Sequence, residues 1–180
     1  MRRVRFGIIG AGNVSLIHAK SISEIGNAEL VAVSSRAEEK ALRLAKKFKS
    51  EYYSDFHEML KRNDIDAVCV LTPSGTHAKI GIEVARSGKH VIVEKPIDVN
   101  LKMADALIEE CKKQNVKLSV ISQRRFSDAV MRVKQSVKSG EMGKLNFGGA
   151  QVKWYRSQEY YNSSAWRGTR ILDGGGALIN

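Results

Sequence analysis

Only two cysteines occur in the 180 residues, Cys69 inside the apolar run DAVCVL and Cys111 inside the helical pattern ALIEECKKQ. That scarcity excludes a disulfide framework, and neither thiol has a paired metal-ligand spacing, so no metal is expected and both read as inert. No apolar run approaches the roughly 20 residues that a membrane helix needs. The start MRRVRFGIIG enters a strand pattern directly, without the apolar stretch and small-residue cleavage site of a signal peptide. No membrane partner and a cytoplasmic location are the resulting expectations. Acidic residues are also short, with 19 Asp and Glu against 30 Lys and Arg for a formal net charge of +11. A basic excess can serve nucleic acid, anionic lipid or an anionic small substrate. Here the cations are spread over helix faces such as RAEEKALRLAKKFK, alternating with glutamate as on a solvated face. No aromatic-interleaved basic patch or helix-turn-helix pattern accompanies them, so nucleic acid is not the expected partner.

What is present is ordinary globular composition, 43% hydrophobic and 27% charged, enough for one full core and part of another. Strand patterns fall near Val4 to Ile9, Leu30 to Ser34, Ala67 to Leu71, His90 to Val93 and Lys117 to Ile121. Helical patterns lie between them, near 13–25, 37–49, 56–62, 76–87 and 101–115. Crossovers of this length imply a parallel sheet with helices on both faces, a doubly wound α/β domain of Rossmann type over residues 1–122. After Gln123 the pattern changes. SDAVMRVKQSVKSG reads as one more helix, KLNFGGAQVKWYR as a long alternating strand, and the rest as loop with a Gly triplet. Residues 123–180 are therefore expected to begin a second α/β domain built on an open sheet.

The first strand runs into Gly10-Ala11-Gly12-Asn13-Val14-Ser15, a dinucleotide fingerprint with Ser at the third glycine position. Its first glycine makes the tight turn, its second lets the backbone approach a pyrophosphate, and the helix that follows offers its first N–H groups, so Gly10, Gly12, Asn13 and Val14 are candidate cofactor residues. The second strand ends in Ser34-Ser35-Arg36, where an NAD site usually carries a carboxylate for the ribose hydroxyls. Ser35 and Arg36 suit a 2′-phosphate instead, which keeps NADP open beside NAD. The strand ending at Leu71 continues into Thr72-Pro73-Ser74-Gly75-Thr76-His77 at the same carboxyl edge, so Thr72, Pro73 and His77 are candidates for a wall against the cofactor. The plainer role for this turn is helix initiation, with Thr76 or Ser74 as cap.

The apolar strand HVIV ends abruptly in Glu94-Lys95-Pro96 at that same edge. A lysine ammonium delivered there can hydrogen-bond a substrate hydroxyl and take part in proton transfer. Glu94 balances its charge, and Pro96 fixes the exit path through a bond open to the cis form.

With GIIGAGNVSLIHA, LTPSGTHA, SGKHVIVEKP and DGGGALIN in this order, the whole sequence resembles the glucose-fructose oxidoreductase, inositol dehydrogenase and rhizopine-catabolism family (Gfo/Idh/MocA). The resemblance implies NAD(P)-dependent oxidation of a sugar or cyclitol hydroxyl, a Rossmann domain, and a C-terminal domain with substrate contacts and homo-oligomer interfaces. It makes Lys95 the active-site lysine and puts Gln123 near the nicotinamide, the end of the cofactor beside which the strand edge delivers Glu94. WRGTRILDGGGALIN is similar to members that oxidise UDP-N-acetylglucosaminuronic acid or related nucleotide sugars at the 3-hydroxyl, which makes Lys153, Tyr155, Arg156, Trp166, Arg167 and Asn180 candidate substrate residues. Arg167 is the strongest of these for an anionic group. Alternation of Trp154 and Tyr155 along a strand would instead put one of the two in a core. Members continue past the glycines to a histidine that serves as base or acid, whereas Asn180 is the last residue here. A fragment of a longer dehydrogenase, or a truncated relative, is expected. The alternative is a non-catalytic dinucleotide-binding sensor or scaffold subunit.

Overall fold

The computed structural model of the chain describes residues 2–175. Residues 2–121 together with 166–175 form one compact unit, and 122–165 form another.

In the first unit the apolar runs become β1 (Val4–Ile9), β2 (Ala28–Ser34), β4 (Ala67–Val70), β5 (His90–Glu94) and β6 (Leu118–Ile121). A short β3 (Glu51–Tyr53) had no counterpart in the sequence reading, because three residues carry too little alternation to register. It forms by pairing with Ala32, Val33 and Ser34 of β2. The six strands lie side by side in the order β3-β2-β1-β4-β5-β6, all parallel. Chain order therefore reverses direction between β1 and β4, the crevice where ligands of open α/β sheets bind.

Alternate strand residues feed two cores, one on each face. Ile9, Val68, Val70, Val91 and Val93 point into one with Val84 and Leu107. Ile8, Cys69 and Ile92 point into the other with Ala19, Ile22, Ala41 and Leu44. Such two-sided burial explains why these strands read as continuous apolar runs rather than half-polar ones. The covering helices are α1 (Asn13–Glu24), α2 (Glu38–Lys47), α3 (Phe56–Leu60), α4 (His77–Arg86) and α5 (Leu101–Lys113). Helix α2 has Glu38 and Glu39 in its first turn, Lys46 and Lys47 in its last, and Ala41, Leu44 and Ala45 buried, so charge complements the helix dipole while one stripe packs on the sheet.

The second unit contains α6 (Asp128–Lys138), where a helix was expected, and the short α7 (Gln158–Asn162). Between them the expected strand over 144–156 is not formed. A strand exists only by pairing, and among the described residues no edge pairs with this segment. The expectation that Trp154 or Tyr155 enters a core fails with it, since they are 65% and 85% exposed. Trp154 instead lies against the Arg156 guanidinium, 4.3 Å from its ring centroid, and Tyr160 flanks the same group at 4.4 Å.

Candidate functional site

The carboxyl ends of β1, β4 and β5 lie next to one another, and each bears one of the motifs. At the end of β1, Gly10 adopts φ 110, and a Cβ on it would stand 2.5 Å from the Leu71 carbonyl oxygen. Only glycine fits that turn. Its N–H donates to the Ser34 carbonyl while Leu71 N–H donates to the Ile9 carbonyl, so main-chain hydrogen bonds hold the end of β1 to both neighbouring strands. Gly12 differs: its backbone is ordinary, and an added Cβ would meet nothing within 4 Å. It caps α1 without a side chain, so no side-chain cap serves the first N–H groups of this 12-residue helix, Asn13 and Val14 among them, beside the open space at Gly12, while Ser15 N–H donates to the Gly12 carbonyl. That space, a glycine cradle at a helix N-terminus, suits the pyrophosphate of a dinucleotide. Ser15, at the third fingerprint position, is fully buried, and its hydroxyl donates to the Gly10 carbonyl at 2.9 Å. The substitution for glycine is thus absorbed by a hydrogen bond that braces the turn.

At the end of β2, Ser35 Oγ accepts the Ala37 N–H at 3.1 Å, bracing the turn that precedes α2. Arg36 is exposed beside it. Beyond β4, the Thr72 and Thr76 hydroxyls bond each other at 2.7 Å, and Thr76 Oγ1 donates to the Pro73 carbonyl. Thr76 occupies the N-cap position of α4, as expected, but its side chain makes no cap hydrogen bond. Asp98, from the loop after β5, accepts the Ala78 N–H instead. Gly75 N–H donates to Leu172, and a Cβ there would stand 2.0 Å from the Ile171 carbonyl oxygen, so the segment following Trp166 packs directly on this turn.

His77 is 1% exposed, with Nδ1 2.8 Å from the Pro96 carbonyl and Nε2 2.8 Å from the Thr72 carbonyl. Its ring ties the turn after β4 to the turn after β5, supporting the wall from behind. The loop 94–100 is held at several points: Glu94 accepts the Lys95 N–H, Lys95-Pro96 is cis, Asp98 accepts from Ala78 and Asn100, and Asn100 caps α5. Lys95 therefore stands on a fixed turn at the strand edge, partly exposed.

Sequence reasoning missed His18. It lies on the inner side of α1, and its Nε2 meets Glu94 Oε1 at 2.9 Å, with side-chain exposures of 12% and 17%. Burial pushes the Glu94 carboxyl up, but the His18 hydrogen bond and the Lys95 N–H outweigh it, leaving the group below the usual carboxylate range. Burial, with a smaller contribution from Glu94, pushes the Cys69 thiol up to about 12, which makes it inert.

Of the other expected residues, Trp166 and Arg167 belong to the same unit as the crevice, with the Arg167 guanidinium 5.0 Å from the Trp166 ring centroid. Asp173, which the sequence did not flag, is buried there and accepts the Gly168 N–H. Gln123, Lys153, Tyr155 and Arg156 belong to the second unit, and Asn180 lies outside the described residues. Among the described residues no group of three or more His, Cys, Asp and Glu could hold a metal ion, and no helix is long and apolar enough to cross a membrane.

The family model described as "Oxidoreductase family, NAD-binding Rossmann fold" (GFO_IDH_MocA) matches residues 4–122. The chain belongs to the Gfo/Idh/MocA family. Myo-inositol 2-dehydrogenase of Thermotoga maritima is 37% identical over 142 residues, 78% of this chain and 42% of that protein. The WlbA dehydrogenase of Bordetella pertussis, solved with NADH and UDP-GlcNAcA, superposes on 100% of the chain and 54% of its own, with TM-score 0.95 and 33% identity. Apo scyllo-inositol dehydrogenase of Lactobacillus casei matches 79% of the chain and 43% of its own, with TM-score 0.75 and 32% identity. The chain spans about half the length of these Gfo/Idh/MocA relatives.

Proposed function

We propose that the protein is an NAD-dependent dehydrogenase acting on a secondary hydroxyl of a sugar, cyclitol or nucleotide sugar. The observation that carries this is the convergence of three motifs on one sheet edge: the open cradle at Gly12, the wall beginning at Thr72, and Lys95 on the fixed turn after β5. Gly10 to Val14 hold the pyrophosphate, Thr72 and Pro73 border the cofactor, and Glu94 orients the turn that presents Lys95. The Lys95 ammonium hydrogen-bonds the reacting hydroxyl and stabilises the oxygen as it becomes a carbonyl. When bound, NAD supplies the hydride acceptor at C4 of its nicotinamide. Support for NAD over NADP comes from the family description and from the NADH in the WlbA complex; exposed Arg36 leaves room for NADP as a weaker ligand.

Within this reading, a nucleotide sugar is favoured over free inositol. The WlbA likeness runs through the whole chain, whereas the scyllo-inositol dehydrogenase likeness stops at 79% of it. Trp166 and Arg167 supply an aromatic face and a guanidinium suited to a carboxylate or phosphate. Residues 123–180 are then the opening of a substrate and oligomerisation domain, the assembly is a homo-oligomer, and the setting is the cytoplasm, which suits two unpaired cysteines. A thermal-shift panel tests the reading, because a ligand of the folded state raises stability by about 2.7 kcal/mol at a hundred times its Kd. NAD or NADH should raise the melting temperature, and a UDP-sugar acid should raise it further while myo-inositol does so less. No response to any dinucleotide refutes the assignment. Binding without turnover on any hydroxyl substrate in the full-length protein would favour a sensor or scaffold subunit instead.

A further inference from the structure

The geometry points to His18 as a positioning residue for Lys95, acting through Glu94. The proposal rests on the dehydrogenase reading above and assigns the pair a role within it. Glu94 is the last residue of β5, and its two carboxylate oxygens reach in different directions: Oε1 meets His18 Nε2 at 2.9 Å, and Oε2 accepts the Lys95 N–H at 3.0 Å. An ionised carboxylate only accepts, so the Nε2 of His18 carries the proton and donates it. The carboxylate is thereby a bridge from helix α1 to the backbone of the residue that bears the ammonium. Both side chains are largely buried, which removes competing water and leaves each oxygen dependent on its partner.

The direction of the bridge matters. Helix α1 begins at the Gly12 cradle, and His18 lies on it six residues later, so one rigid helix sets both the dinucleotide phosphates and, through Glu94, the turn that carries Lys95. Pro96 on the far side of Lys95 is held independently by His77. Of these two holds on the turn that carries Lys95, the His18 side is the one anchored to the element that binds the cofactor. Without the imidazole, Glu94 keeps the Lys95 N–H but loses its tether to α1. The carboxylate, then held at one oxygen only, can move with the turn, and the lysine departs from its alignment with the hydroxyl.

The test uses the full-length protein with His18→Ala and His18→Gln, the glutamine amide being able to donate to Glu94 in place of Nε2. With NAD and the substrate found by the panel, kcat should fall about tenfold to a hundredfold in the Ala variant, the scale set by misalignment of a catalytic group. KM and NAD affinity should stay within about twofold, and the Gln variant should recover most of kcat. Reductive methylation with 13C-formaldehyde gives a second readout that needs no turnover, with the Lys95 resonance assigned by its loss in Lys95→Arg. That resonance should shift in His18→Ala and return toward wild type in His18→Gln. An unmoved resonance in a folded Ala variant, or equal losses of kcat in Ala and Gln, overturns the proposal. A shifted resonance in a protein with no dehydrogenase turnover upholds the bridge and refutes the dehydrogenase reading.

Discussion

Gly10 and Gly12 are two residues apart and do opposite things, so substituting each separates folding from binding. At Gly10 a methyl group would stand 2.5 Å from the Leu71 carbonyl oxygen and 2.8 Å from its carbon, with φ at 110. Holding an L-residue in that backbone region costs about 1 to 3 kcal/mol. The clash with main chain that cannot swing aside adds about 1 to 3 kcal/mol more, so Gly10→Ala should lose about 2 to 6 kcal/mol of stability, a large part of the 5 to 15 kcal/mol typical of a domain. At Gly12 there is no neighbour within 4 Å and φ is −81. Gly12→Val therefore costs the fold only the difference between glycine and valine as helix cap, about 1 kcal/mol or less. Its branched side chain instead fills the space assigned to the pyrophosphate and screens the helix N–H groups. Losing that contact should weaken NAD binding by about a hundredfold or more, equivalent to about 2.7 kcal/mol. Urea unfolding and NADH fluorescence titration, run on both variants, read the two quantities. A Gly12→Val protein that is folded and binds NADH as tightly as wild type would refute the cradle, and an undiminished urea midpoint for Gly10→Ala would refute the packing at the crevice.

Arg36→Glu should weaken NADP more than NAD, because it sets a carboxylate against the 2′-phosphate; an unchanged NADP to NAD affinity ratio by titration means that Arg36 does not read that group. Asp64 is held down to about 2, chiefly by its hydrogen bonds from Arg62 against an opposing burial effect. A carboxylate depressed in the folded state stabilises above its unfolded pKa of about 3.9 and loses that contribution as pH falls through the folded value. Asp64→Asn should therefore lower the urea midpoint at pH 7, and the gap from wild type should close between about pH 4 and pH 2. A gap independent of pH would assign the effect to packing rather than charge.

The parallel sheet was legible because its inner strands β2, β1, β4 and β5 are covered on both faces, and continuous Val, Ile and Cys runs separated by helical patterns have few other solutions. Glycines were legible for a similar reason: Gly10 is a backbone necessity, not a preference. Where pairing decides, the sequence said less. Glu51–Tyr53 is a strand only because β2 offers an edge, while 144–156 alternates well and has no partner among the described residues. His18 was hidden for a different reason, since its partner is 76 residues away and only the fold brings α1 against the end of β5. At α4 the cap position, Thr76, was legible, but the carboxylate that accepts the Ala78 N–H was not, because Asp98 is distant in sequence.

The central claim is that the edge formed by Gly12 binds the dinucleotide while Lys95 acts on the substrate hydroxyl. Steady-state turnover and NADH affinity of Lys95→Ala in the full-length protein, with the substrate identified by thermal shift, test it most directly. Lys95 stands on the turn after β5, away from the Gly12 cradle, so NADH affinity should stay near wild type while kcat falls about a hundredfold or more. Turnover near the wild-type rate would contradict the account and leave Glu94-Lys95-Pro96 as no more than a strand terminator.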